Sequence, residues 1–221
     1  GNLNARIYVH EHFSVQDQSW PQFVYDQLNV FPGMRLLALG EGTAAQWREN
    51  ARLLPEGCSL TLTDLSEGML IEGKAKLVQN PAFKFVGVDA QHLAFDARKF
   101  DRVTANHMLY HVPSPAMAIR ESARVLKADG LFMAATNGPE HMIELDNILG
   151  DCFPEQAGRF STHSEFHLGI GQVLVSEYFS EVWVVEHMSN LWVTEAQPLV
   201  DYAYSMMMEA DLDRSAEETL S

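Results

Sequence analysis

The segment Arg35-Leu-Leu-Ala-Leu-Gly40-Glu-Gly42-Thr joins a short apolar strand to a turn that contains two glycines. Three further strand-like segments follow it, and polar residues recur where they end: Leu60–Asp64, Phe85–Ala90 and Arg102–Asn106. Helix-like segments separate them, which is typical of a parallel sheet that is covered by helices on both faces. Ligands bind at the carboxyl ends of the strands in such folds, so these polar residues predict a binding site.

Helices and a fifth strand complete the alternation. Their boundaries coincide with capping or turn-forming residues. The predicted elements are a first helix over Thr43–Leu54, a second from Ser66 to Asn80-Pro81, a third after Pro113-Ser114-Pro115, and a strand over Leu131–Thr136 that follows a turn at Asp129-Gly130. We therefore expect an α/β fold with a doubly wound, mostly parallel, Rossmann-like sheet and helices on both faces.

The two ends of the chain are less regular than its middle. We expect one domain over residues 1–221, in which residues 34–152 form the ligand-binding core. Residues 1–33 and 153–221 are expected to form a lid over the ligand crevice. Two strands and a helix are predicted near the end of the chain: Glu181–Glu186, Leu191–Thr194 and Pro198–Met208.

The charge balance narrows the range of partners. The 221 residues carry a net charge of −15, and no basic cluster is present. Nucleic acid and anionic membrane surfaces are therefore not expected as partners, whereas a small neutral or cationic molecule is. The N-terminus has no secretory pattern, and Cys58 and Cys152 do not form a disulfide framework, so a cytoplasmic location is expected. The oligomeric state is left open.

Five segments resemble the motifs of class I S-adenosylmethionine-dependent methyltransferases of the small-molecule type. In the order that the family has, they are Leu36–Thr43, Leu62–Leu70, Val88–Phe95, Phe100–Val112 and Arg124–Leu131. Together they cover about half of the chain. The resemblance implies that S-adenosyl-L-methionine is the cofactor and that the protein is an enzyme that methylates a small molecule.

The resemblance also assigns residues to the nucleoside part of the cofactor. It places Asp64 against the ribose hydroxyls and Leu65 against the adenine ring. It places Asp89 where it accepts a hydrogen bond from the adenine amino group, with the Ala90 amide nearby. A carboxylate for the ribose diol and apolar faces for the ring are what adenosine requires.

The methionine part of the cofactor is assigned to the glycine turn. By the same resemblance, Gly40, Glu41 and Gly42 lie against it, and Asn106 lines the sulfonium end. The family usually has an acid where this chain has Ala38 and a glycine where it has Ala44. Glu41 either compensates for the missing acid or crowds the turn.

Two pairs of histidines are spaced four residues apart, His107 with His111 and His163 with His167. That spacing can hold a metal ion on a helix, but the family carries the first pair without a metal, so no metal site is expected. His111 and His107 are the candidate catalytic residues, as general bases. Packing or capping explains them equally well, and Trp20 is likewise open between packing and ligand contact.

Two other functions remain as alternatives. The altered glycine turn favours a non-catalytic, methyltransferase-like module that binds a ligand or a partner. A nicotinamide dehydrogenase is less favoured, because its turn needs a third glycine that Gly42-Thr-Ala-Ala lacks.

Overall fold

The computed structural model describes residues 2–77, 80–154 and 166–206. The chain divides into two compact units. The larger contains Gln18–Pro139 and His163–Val185, and the smaller contains Gly1–Asp17, Glu140–Thr162 and Glu186–Ser221. The expectation of a single domain with terminal lid segments stays a prediction.

The larger unit is built on a five-stranded sheet. Its strands are β1 (Arg35–Leu39), β2 (Ser59–Asp64), β3 (Phe83–Gly87), β4 (Phe100–Asn106) and β5 (Leu126–Ala135). Their order is β3-β2-β1-β4-β5, and every neighbouring pair is parallel. The chain leaves the sheet at the β3 edge and re-enters it beside β1 as β4. The strand order therefore reverses between β1 and β4, where folds of this type form their ligand crevice. The predicted fold class is confirmed.

Seven of the eight α-helical segments within the described residues are labelled α1 to α7. They are α1 (Asn2–Phe13), α2 (Trp20–Gln27), α3 (Ala45–Asn50), α4 (Glu67–Lys76), α5 (Pro115–Val125), α6 (Ile143–Cys152) and α7 (Leu168–Ser176). Residues 196–206 are also helical, and short 3-10 helices cover Ala51–Leu53 and Leu109–His111. None of the helices in the described ranges is long and apolar enough to cross a bilayer.

The alternation of side chains along β1 explains why both faces of the sheet are covered. Leu36 and Ala38 point into one apolar core, and Leu37 and Leu39 point into the other. The first core contains Trp47, Ala51, Leu60 and Leu62, and the second contains Val103, Ala118, Ile119 and Val125. Successive side chains of a strand face opposite sides, so four consecutive buried residues require helices on both.

Arg102 fixes the end of α2 against the sheet. This buried guanidinium on β4 donates from Nε to the carbonyl of Leu28 at 2.6 Å and from Nη2 to the carbonyl of Asn29 at 2.9 Å. Both carbonyls lie just beyond the last turn of α2, where helix carbonyls lack partners within the helix. The contact therefore holds α2 at a fixed position relative to β4.

The fifth strand is longer than predicted. It begins at Leu126 rather than Leu131, and its pairing with β4 shifts register between Phe100 and Arg102. The turn expected at Asp129-Gly130 is an irregularity inside the strand. An added Cβ at Gly130 would collide with the Leu126 side chain, which is why glycine suits this position.

The predicted strand over Glu181–Glu186 is wrong. The segment pairs with no strand in the described part of the chain, and Trp183 is 62% exposed. An alternating apolar pattern gives a strand only where a sheet edge is available to pair with it. The predicted strand over Leu191–Thr194 is reduced to one antiparallel bridge between Leu191 and Ser14.

The smaller unit has its own apolar core, formed around Val9, Leu145 and Tyr202. The rings of His10 and His141 stack beside it, with centroids 5.6 Å apart and planes inclined by 13°. Burial, and to a smaller extent the charge of the neighbouring His10, lower the pKa of His141 to about 4. Burial also lowers the pKa of His10. Both imidazoles are therefore held neutral in the folded unit.

Replacing His141 by leucine should reduce the sensitivity of the smaller unit to acid. The unfolded chain binds a proton at this residue below about pH 6.5 and the folded unit only near pH 4, so stability falls as pH drops through that window. The full shift corresponds to at most about 3 kcal/mol. Between pH 7.5 and pH 5, hydrogen exchange should show a smaller decrease in the free energy of unfolding of the smaller unit for H141L than for the wild type. The exposed His12 is the control, and an equal loss in H12L and H141L would contradict the assignment.

Candidate functional site

The turn after β1 requires glycine at two positions. Gly40 and Gly42 have φ values of 60° and 53°, in the left-handed region that glycine adopts without strain. A Cβ on Gly40 would lie 2.7 Å from the Cβ of Met108, so the turn also depends on the missing side chain. The N–H of Glu41 donates to the carbonyl of Thr63 at 2.9 Å. The turn is thereby held against the end of β2.

Asp64, the last residue of β2, is fixed by two backbone amides. The N–H of Gly42 donates to its Oδ2 at 2.8 Å, and the N–H of Ser66 donates to its Oδ1 at 2.8 Å. An ionised carboxylate has about four acceptor sites, so each oxygen keeps capacity for a ligand hydroxyl. The structure thus brings Gly42 and Asp64 together, as expected if the two contact neighbouring parts of one ligand.

Leu65 follows Asp64 directly and is 77% exposed. An apolar side chain next to a fixed carboxylate is suited to cover one face of a purine ring. The side chain is accessible to a ligand, and it precedes α4, which begins at Glu67.

Asp89 lies beyond the end of β3. The N–H of Gln91 donates to its Oδ1 at 2.8 Å, and this bond lowers the pKa of the Asp89 carboxyl, with smaller contributions from the Gln91 side chain and His92. The carboxylate is therefore ionised and partly exposed, and Ala90 beside it is buried. The N–H of Val88 donates to the carbonyl of Asp64 at 3.1 Å, which places the ends of β2 and β3 side by side.

Helix α5 anchors the loop that carries Asp89. Glu121 accepts a hydrogen bond from the N–H of Leu93 at 3.0 Å. Arg124 donates to the carbonyls of Leu93 and Phe95, both at 2.8 Å, and pairs with Glu121. This ion pair is partly exposed, so its value lies in positioning the loop more than in stability.

Buried polar atoms without partners lie where the methionine part of the cofactor was predicted. Within the described residues, Oδ1 and Nδ2 of Asn106, Oε1 of Glu41 and Nε1 of Trp47 are buried without a hydrogen-bond partner. Asn106 ends β4 next to β1, and Glu41 lies in the glycine turn. Buried polar groups normally have partners, so these atoms fit a ligand that carries charged amino-acid groups. The residues present are compatible with S-adenosylmethionine.

Burial raises the pKa of the Glu41 carboxyl to about 8. The Trp47 indole opposes this shift and the charge of Asp64 adds to it, although the indole N–H does not reach hydrogen-bonding geometry. Glu41 is partly exposed as a whole residue, but its Oε1 is buried. Because the negative charge would lie partly on this buried atom, the pKa of the carboxyl rises. Glu41 is thus protonated at neutral pH.

The two departures from the family motif have different structural consequences. Ala38 is buried in β1, and its carbonyl accepts a hydrogen bond from the Thr63 hydroxyl at 3.0 Å. Ala44 has a φ of 57°, so a residue with a Cβ occupies a conformation that favours glycine. The turn keeps its shape despite this strain.

The two candidate bases differ in their surroundings. His107 has a φ of 50°, its N–H donates to the carbonyl of Ala135 at 2.9 Å, and its ring lies 5.2 Å from that of Trp20. His111 is exposed, and its ring lies 4.5 Å from that of Tyr110. No group of three histidine, cysteine or acidic side chains that could hold a metal ion occurs in the described ranges. His163 lies outside them.

The sequence reasoning missed three side chains that shape this region. Trp47 faces Glu41, Met108 fills the space above Gly40, and Tyr110 contacts both histidines. Only Tyr110 carried a usable signal, because it stands between the two histidines in the fourth motif.

A parallel sheet with this strand order, a left-handed glycine turn and an acid at the end of β2 are the features of a Rossmann-like fold, which class I S-adenosylmethionine-dependent methyltransferases share. Residues 37–134 match the family described as a methyltransferase domain. The range runs from β1 almost to the end of β5. The resemblance read from the motifs is therefore confirmed.

Similar proteins come from several bacteria. A demethylmenaquinone methyltransferase of Clavibacter sepedonicus is 35% identical over 114 residues, which are 52% of this chain and 45% of the relative. A malonyl-[acyl-carrier protein] O-methyltransferase of Legionella pneumophila is 30% identical over 147 residues, 66% of this chain and 50% of the relative. The chain thus spans about half the length of these curated relatives.

A solved structure supports the fold alone. A protein of Bacillus halodurans C-125, described as a presumed methyltransferase, superposes with a TM-score of 0.57 at 20% identity. The match covers 73% of this chain and 68% of the other.

Replacing Glu41 by glutamine should stabilise the larger unit at alkaline pH. The folded unit keeps the Glu41 proton up to about pH 8 whereas the unfolded chain releases it near pH 4.5, so wild-type stability falls as pH rises through this window. The full shift corresponds to at most about 5 kcal/mol. Urea unfolding should show that the free energy of unfolding of E41Q rises relative to that of the wild type between pH 5 and pH 8.5.

The exposed Glu56 provides the matched control for this experiment. E56Q should follow the wild type at both pH values. If E41Q also follows it, Glu41 ionises normally in the fold and the burial argument fails.

Proposed function

We propose that the protein is an enzyme that transfers a methyl group from S-adenosylmethionine to a small-molecule acceptor. The observation that carries the proposal is the Asp64 carboxylate, which two backbone amides hold beside a left-handed glycine turn. The bound cofactor supplies an electrophilic methyl group on a sulfonium. The protein therefore has mainly to bind, align and exclude water, and alignment can supply roughly 7–11 kcal/mol of the barrier.

Each part of the proposed site performs one of these tasks. Asp64 accepts from the ribose hydroxyls, and Leu65 covers the adenine ring. Asp89 accepts from the adenine amino group, with the Ala90 amide nearby. These residues lie at the ends of β2 and β3, which are adjacent and parallel, so one adenosine can reach all of them.

The methionine part is proposed to lie along the glycine turn. Gly40 and Gly42 let the ligand approach the backbone closely, and the unpaired amide of Asn106 faces its sulfonium end. Glu41 takes the role of the acid that the family usually has at the position of Ala38. Its carboxyl is protonated in the free protein and ionises when the cationic end of the ligand arrives, because the opposite charge replaces the lost solvation.

The acceptor is specified only by class. One relative is named for demethylmenaquinone and another for a malonyl acyl-carrier protein, so relatives do not define a single acceptor. His111 or His107 accepts a proton where the acceptor must lose one. The net charge of −15 supports a small molecule rather than nucleic acid as partner. A cytoplasmic location and a lid formed by the terminal segments belong to the same proposal.

A non-catalytic binding module is the second candidate. The strained Ala44 and the apolar Ala38 favour it, because both stand where the family motif supports the cofactor. A search for labelled methyl transfer from S-adenosylmethionine to metabolite extracts separates the two. A methylated product supports the enzyme, and saturable cofactor binding without any product in all extracts supports the module.

Replacing Asp64 by alanine should abolish detectable binding of S-adenosylhomocysteine. Hydrogen bonds to a charged group contribute about 1.5–3 kcal/mol each, so losing two of them weakens binding by about 100-fold or more. Calorimetric titration measures the effect. The control is D96A, whose wild-type side chain is 93% exposed and lies after the Asp89 loop. Undiminished affinity in D64A would refute the ribose assignment, and absence of binding to the wild type at millimolar ligand would refute the proposed function.

A further inference from the structure

The indole of Trp47 and the carboxyl of Glu41 are two buried polar groups that the glycine turn brings together. The carbonyl of Glu41 accepts from the N–H of Ala44 at 2.8 Å, and the carbonyl of Ala44 accepts from the N–H of Trp47 at 3.0 Å. Two successive turns of chain therefore lead from Glu41 into α3. Oε1 of Glu41 and Nε1 of Trp47 are both buried, and neither atom has a hydrogen-bond partner in the part of the chain that the structure describes. The two groups complement each other, because an indole N–H only donates and an ionised carboxylate only accepts.

The position of Trp47 is fixed by the core around it. The residue is only 1% exposed, and its ring lies edge-on to that of Tyr25, with centroids 6.1 Å apart and planes at 89°. Asn50, three residues further along α3, donates to the carbonyl of Pro21 at 2.7 Å and so anchors the helix to α2. A close-packed ring has little room to turn towards another acceptor. The Glu41 side chain, which lies in a turn, is therefore the one that adjusts.

An ionised Glu41 needs a donor more than a neutral one does. Burial raises the pKa of its carboxyl, the Trp47 indole opposes this shift, and the charge of Asp64 adds to it. Hydrogen bonds to a charged group are shorter and about twice as strong as those between neutral groups. The bond between the indole and the carboxyl is thus expected to form fully only when the carboxyl is charged.

We propose that Trp47 is a positioning residue of the cofactor site, whose indole N–H donates to the Glu41 carboxylate when that group becomes the counter-ion of the ligand's ammonium group. Trp47 does not touch the ligand. It acts through Glu41, because its N–H offsets part of the cost of a second negative charge beside Asp64. The ligand-bound part of this inference rests on the proposed function. The pairing of Trp47 with an ionised Glu41 rests on the turn and α3 alone.

The first test follows the Trp47 indole resonance of the protein without ligand by nitrogen–proton correlation NMR. As pH rises from 6.5 to 9.5, the resonance should move downfield with a midpoint near pH 8, because the bond strengthens as Glu41 ionises. E41Q should remove this titration. The indole of Trp183, which is 62% exposed in the same unit, is the internal control. A Trp47 resonance that stays constant, or that titrates equally in E41Q, would overturn the inference.

The second test compares two nucleosides by calorimetry. S-Adenosylhomocysteine carries an ammonium group, whereas 5′-methylthioadenosine has the same adenosine and thioether without it. Trp47→3-benzothienylalanine keeps the size of the ring and replaces its N–H by sulfur. This change should weaken binding of S-adenosylhomocysteine by about 10-fold, as expected for a lost hydrogen bond to a charged group. It should leave binding of 5′-methylthioadenosine unchanged. Equal losses for the two ligands would show a packing role and contradict the positioning role.

The E41Q background supplies the matched control for the second test. There the same substitution at Trp47 should change the affinity for S-adenosylhomocysteine by less than about 2-fold, because the group through which Trp47 acts no longer ionises. A 10-fold loss that persists in E41Q would mean that Trp47 acts by another route, and the inference would fail.

The two tests separate this inference from the proposed function. Circular dichroism checks the fold of the Trp47→3-benzothienylalanine protein, and if that protein does not fold, the comparison of the wild type with E41Q by NMR decides the matter. If the wild type binds neither nucleoside, the proposed function fails together with the ligand-bound part of the inference. If both nucleosides bind and the Trp47 resonance does not titrate, the pairing of Trp47 with Glu41 fails alone.

Discussion

The hydrogen bond from the N–H of Gly42 to the carboxylate of Asp64 joins the ends of two neighbouring strands. It forms because the turn after β1 passes through left-handed conformations at Gly40 and Gly42, which point the amide at β2. The same turn also requires that Gly40 has no side chain, because Met108, which follows β4, occupies the space where a Cβ would lie. Three strand ends are therefore tied to one geometry, and a change in any of them would move the carboxylate.

Electrostatics at this junction favour a cationic ligand. Asp64 and the buried Glu41 lie close enough for the charge of one to raise the pKa of the other. Burial disfavours a second negative charge there, so the free protein keeps Glu41 protonated. A ligand with a positive group removes that penalty, and its binding energy includes the recovered ionisation. In the proposed site, Glu41 rather than a residue at position 38 meets the cationic end of the ligand, and Asp64 meets its nucleoside.

The fold class and most strand positions followed from the sequence, because each strand of this sheet is short, apolar and bounded by turn residues. The Asp129-Gly130 irregularity and the absence of a strand at Glu181–Glu186 did not, since both depend on which sheet edge a segment meets. Asp64 was recognisable as a candidate from its position after β2. The burial of Glu41 was not, because it depends on Trp47, which lies on a different element.

The alanine at position 44 shows how the turn tolerates a departure from glycine. A left-handed alanine costs roughly 1–2 kcal/mol, yet its methyl group is buried, which recovers part of that cost. Space for the methyl exists because α4 has Gly73 at its closest approach. A Cβ there would lie 3.1 Å from the Gly42 carbonyl oxygen and 3.4 Å from the Ala44 Cβ. Gly73 therefore lets α4 pack against the turn. Together, Ala44 and Gly73 preserve the turn conformation that a glycine at position 44 would adopt without strain.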